Sequence, residues 1–475
     1  MDGARESLLL LSDVHLGSDL NDSGETHPRS EEIDRDLASC IAHYARTPPG
    51  PGAQRWRLIV VGDFVDFVGM SVDPRPGDQL ATELTESERI YGMGGQEDRV
   101  LLKLARAEER HPEVFDALRE LVAAGHAITF LQGNHDLEMH WEAVQEAFRD
   151  RVCWAAPDPE AARARIDFEP WFVHRHGFVY VEHGHQYDPF CAIPYVLAPL
   201  SPRDPKRVFP SLSDALLRYI VRRTPGMKEY GHEDRGLMSY LSWGLMLGAR
   251  GAVGLGRRFY ECISMLRHVA AGYETPEGAI VKREHEARLA DRAQRSGIEL
   301  ARLEEALSLH VPPLGSSPRL VLASVMLDRL GATVLAAVLL VVFLALQQWV
   351  ALFVLLVLFA LLHVELANGR PSIDPAQLMA ERASELIRIF PASFVVMGHT
   401  HVPDTRELDG ATYVNLGSWA EGKPEDHEKT PYRAARTHLV IHAQADRHEA
   451  ELRAWKDGKP EPMQTLVRGL ASNAA

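Results

Sequence analysis

The stretch 7–15 reads SLLLLSDVH, and it sets a pattern that recurs along the chain. Its apolar part, Leu8–Leu11, has the length of a buried β-strand, and the polar residues Asp13 and His15 follow almost at once. The run WRLIVVGDFVD at 56–66 has the same form. Apolar runs that end in polar residues predict strands whose carboxyl ends carry functional groups, as in open α/β sheets.

Three further apolar runs, at 128–131, 178–181 and 394–397, extend this series. Helix-like stretches separate the early runs, at 31–46, 98–110, 112–124 and 137–149. Alternation of strands and helices predicts an α/β fold. The later strand-like runs at 412–415 and 438–442 have no helices between them and predict a more antiparallel second half.

The composition narrows the class of protein. The chain has 475 residues, with 51 Lys and Arg against 66 Asp and Glu, which gives a net charge of −15. Its 46% hydrophobic content excludes a wholly disordered chain. The acidic balance argues against nucleic acid as a partner, because phosphate backbones attract clustered Lys and Arg. The 4 cysteines have no metal-site spacing, so we expect isolated reduced thiols.

Two segments lack a regular pattern. Residues 70–96 carry several Gly and Pro residues and predict a long exposed loop. Residues 456–475 are mostly polar and contain two prolines, so they predict a loose tail.

Five polar motifs occur in order, and each closely follows one of the strand-like runs. They are Ser12–His15 (SDVH), Gly62–Asp66 (GDFVD), Gly133–Asp136 (GNHD), His183–His185 (HGH) and Gly398–His401 (GHTH). Each motif alone is weak, because short sequences of this kind also occur in turns and surface loops. All five together, each at the carboxyl end of a strand, predict one shared site.

The residue types at this site suit two divalent metal ions. In extended backbone, Asp13 and His15 would point the same way, and His399 and His401 have the same spacing. A carboxylate has two oxygens, so Asp63 can bridge two ions about 3.5–4 Å apart. Two dications against the two carboxylates of Asp13 and Asp63 leave positive charge, which suits an anionic phosphate and a hydroxide.

The five motifs together resemble the calcineurin-like metallophosphoesterases, whose pattern is DxH, GDxxD, GNH(D/E), a histidine before glycine, and GHxH. The resemblance covers about residues 7–192 and 391–420, and Asn415–Ser418 (NLGS) resembles the closing loop of that family. It implies two facing mixed β-sheets flanked by helices. It also implies hydrolysis of a phosphate ester or pyrophosphate by a metal-bound hydroxide.

The resemblance further implies which residues hold the two ions, with manganese expected and iron or zinc as alternatives. The first ion would be held by Asp13, His15, Asp63 and His401. The second ion would be held by Asp63, Asn134, His183 and His399.

The same resemblance assigns the residues around the ions. His135 would protonate the leaving oxygen or stabilise charge, and Asp136 would orient it through a ring N–H. We expect Asp66 to support the ligands from behind. His185 either contacts the substrate or supports the site.

Two alternative functions remain open. Gly62–Phe67 (GDFVDF) is similar to the hydrolases of UDP-diacylglucosamine, whose lipid substrate would suit a membrane segment. However, that branch has arginine in place of His135, and its fourth motif differs from HGHQYD at 183–188. The second alternative is a membrane-attached scaffold that binds metal without turnover. His135 and Asp136 favour the enzyme, since a scaffold has little need of a proton donor.

Residues 201–375 interrupt the pattern between the fourth and fifth motifs. We expect a helical insertion there, with the body formed by residues 1–200 and 376–455. Early in the insertion, four apolar residues share a helical face that excludes Arg218 and Arg222. Either this is an ordinary surface helix, or its basic side faces phosphate or lipid.

Residues 331–362 contain no charged side chain over 32 positions, which exceeds the about 20 apolar residues needed to cross a membrane. A single crossing would separate the fifth motif from the first four, so an active enzyme requires the chain to return. We predict a hairpin that turns near Gln347–Gln348. Alternatives are a second crossing at 237–256, one long helix in or beside the membrane, or a buried soluble helix pair. We therefore expect a phosphorylated small-molecule or lipid substrate and a location at the cytoplasmic face of a membrane.

Overall fold

Two mixed β-sheets face each other, and helices cover their outer surfaces. This arrangement is seen in a computed structural model, which describes residues 6–22, 31–50, 52–224, 237–317, 319–321, 327–368, 374–420, 434–443 and 447–469. The architecture is compatible with the two-sheet fold that the resemblance implies.

The first sheet has seven strands in the order β12-β11-β10-β1-β2-β3-β4. Their bounds are β1 (Glu6–Leu11), β2 (Arg55–Val61), β3 (Ala127–Leu131), β4 (Ile166–Glu169), β10 (Thr437–Ala443), β11 (Arg447–Lys456) and β12 (Lys459–Gly469). Strands β1 to β4 are parallel, and β10 joins β1 antiparallel. The N-terminal strand therefore lies between two parts of the chain that are distant in sequence.

The second sheet has five strands in the order β5-β6-β7-β9-β8. They are β5 (Phe172–Arg175), β6 (Val179–Glu182), β7 (Phe394–Met397), β8 (Pro403–Leu408) and β9 (Ala411–Leu416). Strands β6, β7 and β9 are parallel, whereas β5 and β8 are antiparallel edges. The fourth and fifth motifs therefore follow neighbouring strands, although the insertion separates them in sequence.

Alternation along β1 explains the layers. Leu8 and Leu10 lie in the core between the two sheets, whereas Leu9 and Leu11 point to the helices on the outer face. A strand that is buried on both faces must be apolar throughout, as the run of four leucines is.

Helices cover the outer face of each sheet. On the first sheet lie α1 (Glu31–Arg46), α3 (Glu97–Arg110), α4 (Pro112–Ala123) and α5 (Glu142–Cys153). On the second lie α9 (Pro276–Ser296), α10 (Leu300–Ser308) and α13 (Pro375–Ile389). Two short helices, α2 (Glu86–Tyr91) and α6 (Pro159–Arg163), complete the body.

The first part of the insertion packs onto the body, and we call α7 to α10 the packed part. Helix α7 (Leu212–Tyr219) begins with a capping box between Ser211 and Asp214. Helix α8 (Leu237–Gly272) follows, with a non-helical break at Gly248. Apolar residues of α7 and α8 share a core with Tyr91 of the body, so the packed part is not a detached domain.

The second part of the insertion is a helical hairpin. Helix α11 (Leu327–Ala345) and helix α12 (Trp349–Asn368) are joined by residues 346–348. Gln347 at the turn has a φ of 56°. The turn lies where the sequence predicts it, and no described residue of the hairpin is buried. The domain boundaries expected from the sequence stay a prediction.

Two local expectations differ from the structure. Residues 70–96 are not simply an exposed loop, because they include α2, and Val72, Tyr91 and Met93 are buried. The tail is not loose up to Gly469, because β12 pairs with β11 along the edge of the first sheet. Backbone pairing outweighs the polar composition at such an edge strand.

Candidate metal centre

The five motifs lie at the carboxyl ends of β1, β2, β3, β6 and β7, where the two sheets meet. The ends of β1 and β2 are joined by backbone hydrogen bonds: Val14 N and His15 N both donate to Asp63 O at 2.9 Å. The first two motifs are therefore a single rigid unit.

The backbone at the expected ligands is unusual. Eight described non-glycine residues have positive φ. Five of them are Asp13 (54°), His15 (52°), Asp63 (54°), His399 (71°) and His401 (59°). The extended geometry expected for the DxH and HxH pairs is therefore wrong, and left-handed residues direct these side chains instead. Each such residue costs about 1–3 kcal/mol, and strain of this kind clusters at functional sites.

One group of ligand atoms joins the first and last motifs. His401 Nε2 lies 3.2 Å from Asp13 Oδ1 and 3.2 Å from His15 Nε2. Asp13 Oδ1 is buried and accepts no hydrogen bond from the described residues. A buried carboxylate oxygen beside two imidazole nitrogens matches the donor set that a divalent cation prefers.

A second group joins the second, third and fourth motifs. His183 Nε2 lies 3.2 Å from both Asp63 Oδ2 and Asn134 Oδ1. His183 Nδ1 donates to Val61 O at 2.8 Å, which leaves Nε2 to face the site. His399 belongs to the same group of metal-binding atoms as Asp63 and His183.

Asp63 belongs to the second group and lies beside His15 of the first, through one of its oxygens. Its Oδ1 accepts a hydrogen bond from His135 N at 2.8 Å. Its Oδ2 faces His15 Nε2 at 3.7 Å and His183 Nε2 at 3.2 Å. From the sequence, each oxygen can hold its own ion. In the structure, Oδ1 accepts a backbone hydrogen bond, and Oδ2 is the oxygen that lies between the groups.

The glycines of the motifs allow this close approach. A Cβ atom at Gly133 would lie 2.1 Å from Asp63 Oδ1, and one at Gly398 would lie 1.8 Å from Ser12 Oγ. No side chain fits at either position without moving the ligands. The glycines before Asn134 and His399 are thus packing requirements of the site.

The expected role of Asp136 is wrong. His135 Nδ1 is hydrogen-bonded to Asp66 Oδ1 at 2.7 Å, so Asp66 orients the ring. Asp136 instead accepts hydrogen bonds from Gly133 N at 2.6 Å and Phe64 N at 2.8 Å. It fixes the loops that carry the ligands, because adjacent backbone donors capture its carboxylate. Asp66 also lies 3.7 Å from His15 Nδ1, which agrees with its expected supporting place.

Behind the second group lie residues that the sequence analysis did not assign. His399 Nε2 is 3.1 Å from Asp188 Oδ2, and Cys191 lies with both in a group able to hold a metal ion. Cys191 is therefore not isolated. His185 is buried, and its ring is 5.4 Å from that of His183, which fits support rather than substrate contact.

The site holds buried charges of both signs. Burial disfavours the ionised form of Asp63, but the imidazoles of His183 and His135 outweigh it and hold the pKa of Asp63 well below its usual value. Burial likewise lowers the pKa of His183, but Asp63 outweighs it and raises that pKa to about 9. Burial and Asp63 raise the pKa of Asp136 to about 7. Asp63 and the two imidazoles of His183 and His135 therefore stabilise each other's charged forms.

The packed part of the insertion forms one wall of the site. Arg222, in the 3-10 turn Val221–Arg223, is buried, and its Nη2 donates to Ser18 O at 2.6 Å. A Cβ atom at Gly69 would meet Asp66 Oδ2 at 2.2 Å and Arg222 Nη2 at 2.7 Å. These two atoms are therefore within the range of about 4–6 Å over which opposite charges stabilise each other. The basic side of this helix is therefore not an exposed surface, because Arg218 also donates to backbone oxygens of the body and Arg222 lies near Asp66. That it faces phosphate or lipid stays a prediction.

Backbone hydrogen bonds attach the insertion to the segment after the fourth motif. Ser213 N donates to Phe190 O at 3.0 Å, Leu314 N to Pro189 O at 2.7 Å and Val311 N to Gln186 O at 3.0 Å. The segment that carries Asp188 is thus hydrogen-bonded to the beginning of the packed part and to the residues that follow it.

The loop expected to close the site does contact it. Ser418 Oγ donates to Asp13 O at 3.1 Å, and Trp419 N donates to the same oxygen at 3.0 Å. Asn415 Nδ2 donates to Gly398 O at 2.7 Å. The loop therefore joins the first and fifth motifs.

No family model and no curated protein matches the chain. Similar solved structures include vacuolar protein sorting 29 from Cryptosporidium parvum, at 18% identity and a TM-score of 0.16. That match covers 21% of this chain and 46% of the other, so the chain spans less than half of that protein. Phosphopantetheinyl hydrolase (PptH) from Mycobacterium tuberculosis matches at 13% identity and a TM-score of 0.28, covering 94% of this chain and 98% of the other. At these TM-scores neither similarity identifies a function.

Proposed function

We propose that the chain is a phosphoesterase that uses two divalent ions to hydrolyse a phosphate ester or pyrophosphate of a small molecule or lipid. The observation that supports this most is the position of Asp63 Oδ2, which faces a histidine of each group of ligand atoms. Beside them stands His135, which Asp66 holds in place.

The residues that would hold the ions are those of the two groups. Asp13, His15 and His401 form one side, Asn134, His183 and His399 the other, and Asp63 lies between them. Two divalent ions in such a site lower the pKa of water to about 7 and neutralise charge on phosphoryl oxygens. Positive φ at five ligands fixes their directions before substrate arrives, which reduces the reorganisation needed for reaction.

His135 would supply the proton to the leaving oxygen. Its Nδ1 is bonded to Asp66, so Nε2 is the atom that can donate. Burial disfavours its charged form, but Asp66 and Asp63 outweigh burial and raise the pKa of His135 well above its usual value. Its side chain is 14% exposed, whereas those of its neighbours Asp66 and His15 are almost fully enclosed. It is thus the member of this group that an incoming ester can reach.

The charge balance differs from that expected from the sequence. Asp66 and Asp188 stand beside the ligands in addition to Asp13 and Asp63, so four carboxylates offset two dications. Attraction of an anionic phosphate then depends on the positive groups nearby, which are His135 and Arg222. This assigns Arg222 a part in substrate binding.

An assay with Mn²⁺ and a chromogenic phosphodiester, with EDTA as the metal-free control, tests the proposal. Asp63→Asn should lower turnover by at least about 1,000-fold, because it weakens both groups of ligands. His135→Ala should lower turnover by about 100- to 10,000-fold, the usual contribution of a general acid, with two metal ions per chain retained.

Asp404→Asn, on the edge strand β8, serves as the matched control and should leave turnover unchanged. Loss of metal from His135→Ala, measured by mass spectrometry of bound ions, would contradict its assigned role. Two tightly bound ions without turnover of any monoester, diester or pyrophosphate would favour the non-catalytic scaffold instead.

A further inference from the structure

The hairpin exposes its apolar surface on every side except the seam between its helices. In the described part of α12, the partly covered side chains recur at helical spacing, as expected of a seam with α11: Ala351, Leu352, Leu355, Phe359, His363 and Leu366. Outside this seam, α12 exposes Val350 by 80% and Phe353 by 69%. On α11, Leu335 and Val341 are similarly bare.

The distribution of this surface restricts what can cover it. A protein partner, or a second copy of the chain, would cover one side of the hairpin and leave the other side in water. The hydrocarbon of a bilayer surrounds an inserted element and covers all sides at once. Contiguous apolar surface of this extent is not stable in water.

The dimensions fit a bilayer as well. At 1.5 Å per residue, helices α11 and α12 are about 28 and 30 Å long, against a hydrocarbon core of about 30 Å. Gln347–Gln348 divides the charge-free run at 331–362 into arms of 16 and 14 residues. Both helices are longer than these arms, because each continues beyond the charge-free run. Asp328 and Arg329 stand at one base and Glu365 at the other. The turn is polar but uncharged, and Trp349 beside it is of the type enriched at membrane interfaces.

Both bases of the hairpin lie close to the body. Val321 packs in the core of the packed part, and α11 begins six residues later. Helix α12 ends at Asn368, and α13 begins at Pro375 on the second sheet. At about 3.3–3.6 Å per residue, neither connection exceeds roughly 25 Å. Because β7 pairs with β6, the chain must return to the side from which it left.

We infer that α11 and α12 insert as a hairpin into a lipid bilayer and hold the two-sheet body against one face of it. Arg319, Arg329 and Arg370 flank the hairpin, whereas its turn carries no positive charge. Positive residues near membrane segments stay on the cytoplasmic side, so the body lies there. This inference does not depend on the proposed hydrolysis.

Flotation with phosphatidylcholine vesicles in high salt tests the insertion, using the full chain transferred from detergent. Val338→Asp combined with Leu358→Asp places one charge near the middle of each helix. A central Asp is strongly disfavoured in hydrocarbon. We therefore expect the partition coefficient of this double variant into the vesicles to be at least about 100-fold lower than that of the wild type. Ile280→Asp on α9 is the control, because its exposure (57%) matches that of Val338 (54%) and Leu358 (59%).

Circular dichroism and thermal melting should be the same for the three proteins, which separates loss of insertion from unfolding. The inference would be overturned if the wild type stays at the bottom of the gradient without the vesicles, or if the double variant floats equally well. So would a vesicle-independent dimer that the double variant abolishes, because the hairpin would then pair with a second copy. A fusion of green fluorescent protein after Ala475 tests on which face of the membrane the body lies. The fusion should fluoresce in cells if the body is cytoplasmic. A fusion that is stably produced but not fluorescent would place the body on the opposite face.

Discussion

The two parts of the insertion use similar residues in opposite ways. In the packed part, Cys262, Leu266 and Val269 of α8 are buried against α7 and the body. In the hairpin, residues of the same apolar kind are bare. Among the described residues of the insertion, it is Arg222, between α7 and α8 of the packed part, that lies beside the candidate metal centre. Thus apolar composition alone does not tell which part of an insertion builds a site and which projects from the protein.

The largest expected difference between the parts is in stability. Leu266→Ala removes a buried side chain and should lower the free energy of unfolding by about 2–4 kcal/mol. Leu335→Ala, the same exchange in the hairpin, should change it by less than about 0.5 kcal/mol. Urea denaturation of the full chain in one detergent measures both. Equal losses would show that the hairpin also packs against the body.

The next difference concerns activity. Arg222→Gln should reduce kcat/KM for a phosphodiester by about 10- to 100-fold, because a buried positive charge beside the metal centre is lost. Arg257→Gln is the control, since Arg257 is an exposed arginine on α8 paired with Glu261. Both variants should retain two metal ions, and Arg222→Lys should recover part of the loss. If Arg222→Gln is as active as Arg257→Gln, the packed part is only structural.

The smallest expected effect is acid sensitivity of the packed part. Burial, with a contribution from His285, lowers the pKa of His310 to about 3. The unfolded chain therefore binds more protons than the folded chain between about pH 6.5 and pH 3, so stability falls as the pH falls through this window. Because His310 is only partly buried, we expect a loss of about 1 kcal/mol at pH 5.

His310→Phe keeps the ring contacts with Trp171 and Tyr187 and should flatten this part of the stability curve. Urea unfolding at pH 7 and pH 5 measures the effect. The same exchange at His268, exposed on α8, should leave the difference between the two pH values unchanged. An identical acid loss in His310→Phe would assign the sensitivity to other groups.

Much of the framework could be predicted from the sequence because strands and motifs coincide. The buried run Leu8–Leu11 and the polar Asp13 that follows it place one of the residues expected to bind metal, and the same logic applies at Asp63 and His183. The chain also turns at Gln347, where two glutamines interrupt the apolar run. These features depend on local sequence, so local patterns reveal them.

Other features depend on contacts between distant segments. Asp66 rather than Asp136 orients His135, and the difference is decided by how two loops approach each other. Asp188 reaches His399 after a left-handed Gly184 starts a tight turn, which the spacing in HGHQYD only hints at. Arg222 lies in the 3-10 turn after α7, and the sequence marked it only as part of a basic helical side, with no sign of its approach to Asp66. The tail strand β12 is polar on a sheet edge, so periodicity gives no signal for it.

The position of β1 has a consequence for synthesis. This strand is translated long before its neighbour β10 and before the histidines of the fifth motif. The hairpin is therefore synthesised before the two groups of the candidate metal centre can come together. If the hairpin inserts at that stage, the centre is completed only when the chain is already at the membrane.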